Sequence, residues 1–275
     1  MPSPEYLFGL STVHEMIPLE ELSSFAVIMC LGIFTQAAAG FAAGLVIMPL
    51  MLWAGHGIPE AQAAVLTATI PQNLLGVHRF RKNQKTWREL VLPATLRYVW
   101  MPVGVATLYA LDAFSVGLLR QVVGAVVVFC VLMLILFRPT PREELHVGWT
   151  WLTFSCSGFF AGCTGTGGPF MVLWVQAHNW STERGRAFLF VMYLLTIPVM
   201  LGLLFSAFGN RITRSAISAL VLIPLLLAVS WSGLKLGSWL GRERLRKVTM
   251  VILLVIGVIG LFAPLITRFL GKDPL

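Results

Sequence analysis

Charged residues are scarce in this sequence. Only 12% of its residues are Asp, Glu, Lys or Arg, 57% are hydrophobic, and the mean hydropathy is +0.82. A soluble domain carries about 25% charged residues, so this chain lacks the polar side chains that a water-facing surface needs. Inside a bilayer the backbone must satisfy its own hydrogen bonds, which leaves helices or closed barrels. The composition therefore indicates a membrane protein.

Alternating apolar patterns of the kind that barrel strands show are also missing. The apolar runs are continuous and about 20 residues long, which is the length of a membrane helix. We predict an all-α membrane protein with about eight transmembrane helices. The spans are placed at 23–53, 61–80, 90–111, 116–137, 149–176, 187–208, 212–239 and 248–270, with a surface segment over 1–22, a linker over 139–148 and a tail over 271–275.

Metal-binding and cofactor motifs are absent from the sequence. The four cysteines lie inside apolar runs, and there is no CxxC, no HExxH and no cluster of carboxylates. Neither a disulfide framework nor a metal site is predicted, and we expect no cofactor. The first 22 residues hold no Lys or Arg, whereas a secretory signal starts with a basic segment. We therefore expect the first span to be inserted uncleaved.

Basic residues exceed acidic ones by 20 to 12, which gives a net charge of +8. Most of them lie in short connections between apolar runs, where they contact lipid headgroups and hold loops on one side of the membrane. We therefore predict no nucleic-acid partner. With the amino terminus inside, inner connections hold 11 basic residues and outer ones seven. The cluster at 78–88 contributes most to that difference, and we predict that both termini are inside.

Short segments recur along the chain in the same order. Thr69-Ile-Pro71 returns at 196–198, Leu119-Arg-Gln-Val122 is echoed at 245–248, and Gly32-Ile-Phe34 at 158–160, at offsets of 126 or 127 residues. Leu52-Trp53 has a counterpart in Leu173-Trp174. Repeats at one offset indicate duplication. We predict two four-helix repeats, 23–138 and 149–270, which are parallel if every span crosses the membrane and inverted if a broken span re-enters.

The densest set of helix-breaking residues is Cys163-Thr-Gly-Thr-Gly-Gly-Pro169, in the fifth span. Glycine lets the backbone leave helical geometry, and proline favours a restart. A helix restarting there would direct unpaired amides and its positive dipole end into the membrane, where an anion could bind. We predict a broken helix with an anion site formed by Thr164, Gly165, Thr166, Gly167 and Gly168, the two threonines adding hydroxyl donors.

The first span contains a weaker version of the same feature. Gly40 and Gly44 interrupt it, and Gln36 lies one turn earlier. We predict that these three residues form the matching side of the site and that the first helix is broken as well. The alternative is that small residues four positions apart only allow close helix packing.

Polar residues inside other spans complete the candidate site. Thr69-Ile-Pro-Gln-Asn73 and Thr196-Ile-Pro198 combine a helix-bending proline with hydrogen-bonding side chains, and we predict substrate contacts for Thr69, Gln72, Asn73 and Thr196. The alternative is a proline that shapes the helix alone. Arg97 lies inside the third span, where a buried guanidinium is a functional hypothesis and its fork matches sulfonate, sulfite or carboxylate oxygens. The alternative is that Arg97 extends to the headgroups.

These segments together resemble the TauE/SafE family of sulfite exporters, a group of sulfonate and organosulfur anion permeases, over residues 25–270. Gly158 to Pro169 matches the family's Gly-rich run followed by an apolar stretch and Pro. Gly40 to Pro49 matches less closely, since Ala42 and Ala43 stand where glycines are common. The resemblance implies import or export of sulfite, thiosulfate or related anions, and a multi-pass protein of the cell membrane, the bacterial inner membrane.

We therefore expect a transporter, more specifically an exporter, of small sulfur-containing anions that works by alternating access around the broken helices. Its partners are the small anionic substrate and the lipid bilayer, and homo-oligomerisation is left open. A permease for another small organic anion such as a carboxylate is the first alternative. A channel or an intramembrane enzyme is the second, although no nucleophile-and-base motif supports an enzyme and both Asp residues lie at the ends of spans.

Overall fold

The computed structural model describes residues 19–39, 42–83, 88–137, 139–240 and 242–262. Within these ranges the chain forms eleven α-helices, a short 3-10 turn and no β-strand. In chain order the α-helices are α1 (Leu19–Ala39), α2 (Ala43–Trp53), α3 (Ile58–Phe80), α4 (Arg88–Leu111), α5 (Val116–Leu136), α6 (Val147–Thr164), α7 (Gly168–Gln176), α8 (Thr182–Phe208), α9 (Arg211–Val221), α10 (Ile223–Leu240) and α11 (Arg242–Leu261). The all-helical architecture agrees with the predicted fold class.

Two of the predicted spans are divided where the sequence predicts an interruption. The pair α1 and α2 replaces the first span, and the pair α6 and α7 replaces the fifth. A positive φ angle occurs in each break, +91° at Ala42 and +69° at Gly165. Glycine adopts this region freely, whereas alanine adopts it at a cost. Gly40 of the predicted site lies outside the described residues.

Eight membrane spans are not confirmed by the described helices. Four of them, α1, α4, α5 and α8, are long and apolar enough to cross a membrane alone, and α9 with α10, bent by 61°, makes a fifth if the two form one span. The helices α2 and α7 have 11 and 9 residues, so each rises less than about 17 Å against a hydrocarbon core of about 30 Å. The number of crossings, the domain limits and the two repeats stay predictions.

Helix packing brings the two breaks together in the middle of the protein. The helix α4 packs along α6, and α1 packs along α10. The helix α5 packs along α11, and α3 packs against both α8 and α9. Both short helices, α2 and α7, contact α5. At the breaks the backbones approach closely, since a Cβ added to Gly44 would lie 2.6 Å from the carbonyl oxygen of Gly165. The outer surface exposes many large apolar side chains, Phe129, Trp151 and Trp231 among them, as a lipid-facing surface would.

Glycines allow α4 and α6 to pack with their backbones in contact. A Cβ added to Gly158 would lie 2.7 Å from the Arg97 carbonyl oxygen, and one added to Gly162 would lie 2.4 Å from that of Met101. Small residues four positions apart are how membrane helices achieve such contacts. This close crossing holds Arg97 against α6.

Replacing Gly162 with alanine is expected to lower the thermal stability of the purified protein. The added methyl group meets backbone atoms, which cannot rotate away, and such overpacking costs about 1–3 kcal/mol. For a chain of this size that corresponds to a fall in Tm of about 2–5 °C. Gly202→Ala is the control because no atom of the described residues lies within 4 Å of the added atom. Equal melting temperatures for the two variants would contradict the tight crossing.

Candidate anion-binding site

A cavity of about 100 Å³ lies between the two helix breaks. Its wall is formed by the beginnings of α2 and α7, one face each of α3 and α8, the end of α6, and single side chains of α1 and α4. A buried water occupies about 10–15 Å³ by the same measure, so this cavity has room for a polyatomic ion of several heavy atoms.

Two helix N-termini face this cavity. Ala43 and Gly44 at the beginning of α2, and Gly167 and Gly168 at the beginning of α7, line its wall. Neither helix has a side-chain N-cap. The first amides of a helix have no acceptor within the helix, and the positive end of its dipole lies at the same place. The geometry therefore supplies amide donors from two directions.

Arg97 is the charged side chain of the cavity wall. It is 2% exposed, so its side chain does not extend to the headgroups. Its Nη1 donates to Ser157 Oγ at 2.7 Å and lies 2.6 Å from Met171 Sδ, while its Nε has no hydrogen-bond partner among the described residues. Ser157 Oγ donates to the carbonyl oxygen of Gly167 at 2.6 Å. The guanidinium is thereby connected to the helix break.

No carboxylate among the described residues forms an ion pair with Arg97. A guanidinium keeps its charge in proteins, and burial of such a charge without a partner is costly. The cavity therefore carries a positive charge that a bound anion would compensate.

The threonines of the site use their hydroxyl hydrogens within the protein. Thr69 and Thr196 donate to backbone carbonyls four residues earlier, at 2.9 and 2.5 Å. Thr164 donates to the Phe160 carbonyl at 3.2 Å, and its hydroxyl lies 2.6 Å from that of Thr166, a contact in which either hydroxyl can be the donor. That Thr164 and Thr166 add hydroxyl donors to the site stays a prediction. A hydroxyl that already donates offers only its lone pairs to a ligand.

Two amide side chains of α3 also line the cavity. Gln62 and Asn73 are each 1% exposed, and neither amide oxygen has a hydrogen-bond partner among the described groups. The Gln62 side chain is oriented by its nitrogen, which donates to the Gly162 carbonyl at 3.3 Å. Because a buried polar atom normally has a partner, these two oxygens are candidates for contact with a ligand.

Most of the residues that we predicted from sequence lie together in the wall of this cavity. Ten of them line it: Gln36, Gly44, Thr69, Asn73, Arg97, Gly165, Thr166, Gly167, Gly168 and Thr196. Gln72 and Thr164 do not, within the described wall. Gln72 precedes Asn73 by one residue and so points about 100° away around α3. Thr164 is buried, and its hydroxyl contacts that of Thr166.

Sequence reasoning missed three polar residues of the site. Gln62 and Tyr193 line the cavity, and Ser157 connects Arg97 to the break. A helical period of 3.6 residues could have found the first two, since Gln62 lies seven residues before Thr69 and Tyr193 lies three before Thr196. No signal in the sequence marks Ser157 as the partner of Arg97.

Ion pairs lie at the two ends of α4, away from the cavity. At one end Arg184 donates to both carboxylate oxygens of Glu89, at 2.8 and 3.0 Å. At the other end Arg211 pairs with Glu60 and Asp112. Twenty-three residues of helix separate Glu89 from Asp112, a distance of about 35 Å. Each pair joins residues at least 95 positions apart in the chain.

His178 lies near the first of these ion pairs, in the connection between α7 and α8. Burial lowers its pKa, and the positive charge of Arg184 lowers it further, although the hydrogen bond to the Trp174 carbonyl opposes both effects. The ring is therefore neutral at neutral pH, and it packs between Trp174 and Trp180.

The fold and the cavity define a class of protein: a multi-pass helical membrane protein with a cavity between two broken helices. The sequence model of one family, described as Sulfite exporter TauE/SafE, matches residues 24–259. The chain belongs to this family, which confirms the resemblance found in the sequence. Membership indicates a membrane transporter of sulfite-type anions. No curated protein and no solved structure matches the chain.

Proposed function

We propose that the protein exports a small sulfur oxyanion, with sulfite as the first candidate, and that the cavity between the breaks is its binding site. The observation that carries this proposal is Arg97, a buried guanidinium without a carboxylate partner in the described residues, facing a cavity between two uncapped helix N-termini. We place the protein in a bacterial inner membrane and assign it no chemical reaction.

The donor set fits an oxyanion with several oxygens. A guanidinium offers planar N–H groups that match such an anion, and helix amides add donors without adding charge. One positive charge with neutral amides would hold a monovalent anion without binding it too tightly for release. A carboxylate would find the same guanidinium suitable, and it remains the second candidate substrate.

Alternating access requires that the cavity open to one side at a time, and the two ion pairs are suited to control this. Each connects distant parts of the chain at one end of α4, and the cavity lies between the two ends. Both sets of ion pairs are only partly buried, and an ion pair that solvent reaches contributes about 0.2–1 kcal/mol, which is small enough to break during each cycle. We propose that Glu89–Arg184 closes one face and that Arg211 with Glu60 and Asp112 closes the other.

Arg184→Gln and Arg211→Gln are expected to bias the protein in opposite directions. Arg184→Gln removes one ion pair and Arg211→Gln removes two. Each lost pair removes up to about 1 kcal/mol from the state closed on that face, which changes the ratio of the two states by up to about fivefold per pair. The measurement is labelling of a cysteine at position 69, in a background without the four native cysteines, by membrane-impermeant thiol reagents from either side. Shifts in the same direction, or no shift in either variant, would contradict the assignment.

Flux in proteoliposomes tests the proposed function itself. A carrier is expected to show saturable sulfite flux and counterflow, in which internal unlabelled sulfite accelerates entry of labelled sulfite. Unsaturable flux without counterflow would indicate a channel. Competition by a carboxylate such as acetate at equal concentration would indicate the second substrate class, and no flux of any of these anions would overturn the proposal.

A further inference from the structure

The hydrogen-bonding character of the cavity is mixed, and this bears on which anions it accepts. Its donors include Arg97, the amides at the beginnings of α2 and α7, the Tyr193 hydroxyl and the Gln36 side-chain amide. Its acceptors are the amide oxygens of Gln62 and Asn73 and the hydroxyl oxygens of Thr69 and Thr196, whose hydrogens bond to their own helices. An anion that has only lone pairs would satisfy the first group and leave the second group without partners.

The side-chain amide of Gln62 has a fixed orientation, so its oxygen can be assigned as an acceptor. Its nitrogen donates to the Gly162 carbonyl, and a rotation of the amide by 180° would place two oxygens against each other. The Oε1 atom must therefore act as an acceptor, and it is buried without a partner among the described groups. A cation at this oxygen would share a cavity of about 100 Å³ with the Arg97 guanidinium, so a hydrogen-bond donor is the better partner.

We infer that the preferred substrate is a monovalent oxyanion that carries its own O–H or N–H donor, with hydrogen sulfite or a hydroxyalkyl sulfonate as examples, and that Gln62 is the residue that selects it. This inference rests on the proposed function and specifies its substrate class. Sulfite exchanges between a dianion and the monoanion hydrogen sulfite near neutral pH, whereas sulfate and thiosulfate remain dianions without a donor. The single charge of Arg97 also matches a monoanion better than a dianion.

A matched pair of sulfonates tests the selection directly. Ethanesulfonate and 2-hydroxyethanesulfonate have the same charge and differ in one hydroxyl group. Dissociation constants are measured on the purified protein by calorimetry, which does not depend on transport. Because an acceptor left unpaired on binding is costly, wild-type protein is expected to bind the hydroxylated anion about tenfold more tightly. Gln62→Met is expected to reduce this ratio to within about threefold, and the control Gln121→Met on α5 is expected to keep it.

Measuring the affinities over a series of pH values provides a second and independent test. Affinity for total sulfite is expected to weaken as pH rises and the dianion replaces hydrogen sulfite, while affinity for the two sulfonates stays constant. Among described residues of the cavity wall, the titratable ones are Arg97 and Tyr193, and their ordinary pKa values lie far above neutrality. If affinity changes with pH for sulfite and not for the two sulfonates, the change therefore reflects protonation of sulfite and not of the protein.

The outcomes separate this inference from the proposed function. Equal binding of the two sulfonates by wild-type protein, or sulfate binding as tight as that of sulfite, would overturn the inference and leave an unselective anion carrier. Selective binding without flux would support the inference and overturn transport. The ratio of the two sulfonate dissociation constants in wild-type protein tests the inference even if Gln62→Met does not fold.

Discussion

Arg97→Gln is expected to abolish anion flux while leaving the protein as stable as the wild type or more stable. The guanidinium is the charged group of the described cavity wall, and loss of a buried charged partner costs about 3–5 kcal/mol of binding, so flux at subsaturating sulfite should fall by at least about 100-fold. Because no carboxylate in the described part of the chain pairs with it, the buried charge destabilises the empty protein, so its removal is not expected to lower the Tm. Sulfite flux and thermal unfolding are measured on the same preparation.

Arg120→Gln is the matched control for this variant. Arg120 is half-buried in α5, contacts the Leu52 carbonyl and does not line the cavity, so flux is expected to remain within about threefold. At 100 times its Kd, sulfite should stabilise the wild-type protein by about 2.7 kcal/mol and so raise its Tm. It should not raise the Tm of Arg97→Gln. A lower Tm together with lost flux in Arg97→Gln would assign Arg97 a structural role instead.

Gly167→Leu and Gly168→Leu are expected to abolish flux without preventing membrane insertion. A Cβ on Gly167 would lie 2.2 Å from the backbone oxygen of Ser157, which has nowhere to move, and one on Gly168 would lie 2.7 Å from the Tyr193 hydroxyl. A leucine side chain at either position would occupy the cavity or force α6 and α7 apart. Flux is measured in proteoliposomes, and insertion is measured as the amount of monodisperse protein extracted from membranes.

The control for these variants is Gly202→Leu, because no atom in the described ranges lies within 4 Å of a Cβ at this position of α8. It is expected to insert and transport as the wild type does. Smaller substitutions refine the test: Gly167→Ala should still lose most flux because its neighbour is backbone, whereas Gly168→Ala should retain part of it because the Tyr193 side chain can rotate. Normal flux in both leucine variants would contradict a site built on the broken helix.

Most of the fold follows from local properties of the sequence. Continuous apolar runs give helices, and the glycines and proline at 165–169 interrupt the fifth span where the chain breaks. Periodicity alone would have found Gln62 and Tyr193, since they share helix faces with Thr69 and Thr196. The count of eight spans stays a prediction, because α3 carries polar residues of the cavity and is not among the described helices that are apolar enough to cross a membrane alone.

Hydrogen-bond direction at the site could not be read from residue types. A threonine can donate or accept, and only the position of a backbone carbonyl one turn earlier shows that the hydrogens of Thr69 and Thr196 are already used. Ser157 and Arg97 are 60 residues apart in the chain, and no spacing in the sequence predicts that they meet.

The sequence by itself determined that this protein lies in a membrane, that two of its helices are interrupted, and which family it resembles. Composition and the interruption of a helix by glycine and proline are properties of short segments, so they can be read from the sequence. Only the tertiary structure decided that the two interruptions meet around one cavity, that Arg97 is buried there without a carboxylate partner in the described chain, and that Gln62 offers an acceptor. Those facts depend on glycine contacts between helices that are distant in sequence, and a close crossing of two helices is a property of the pair.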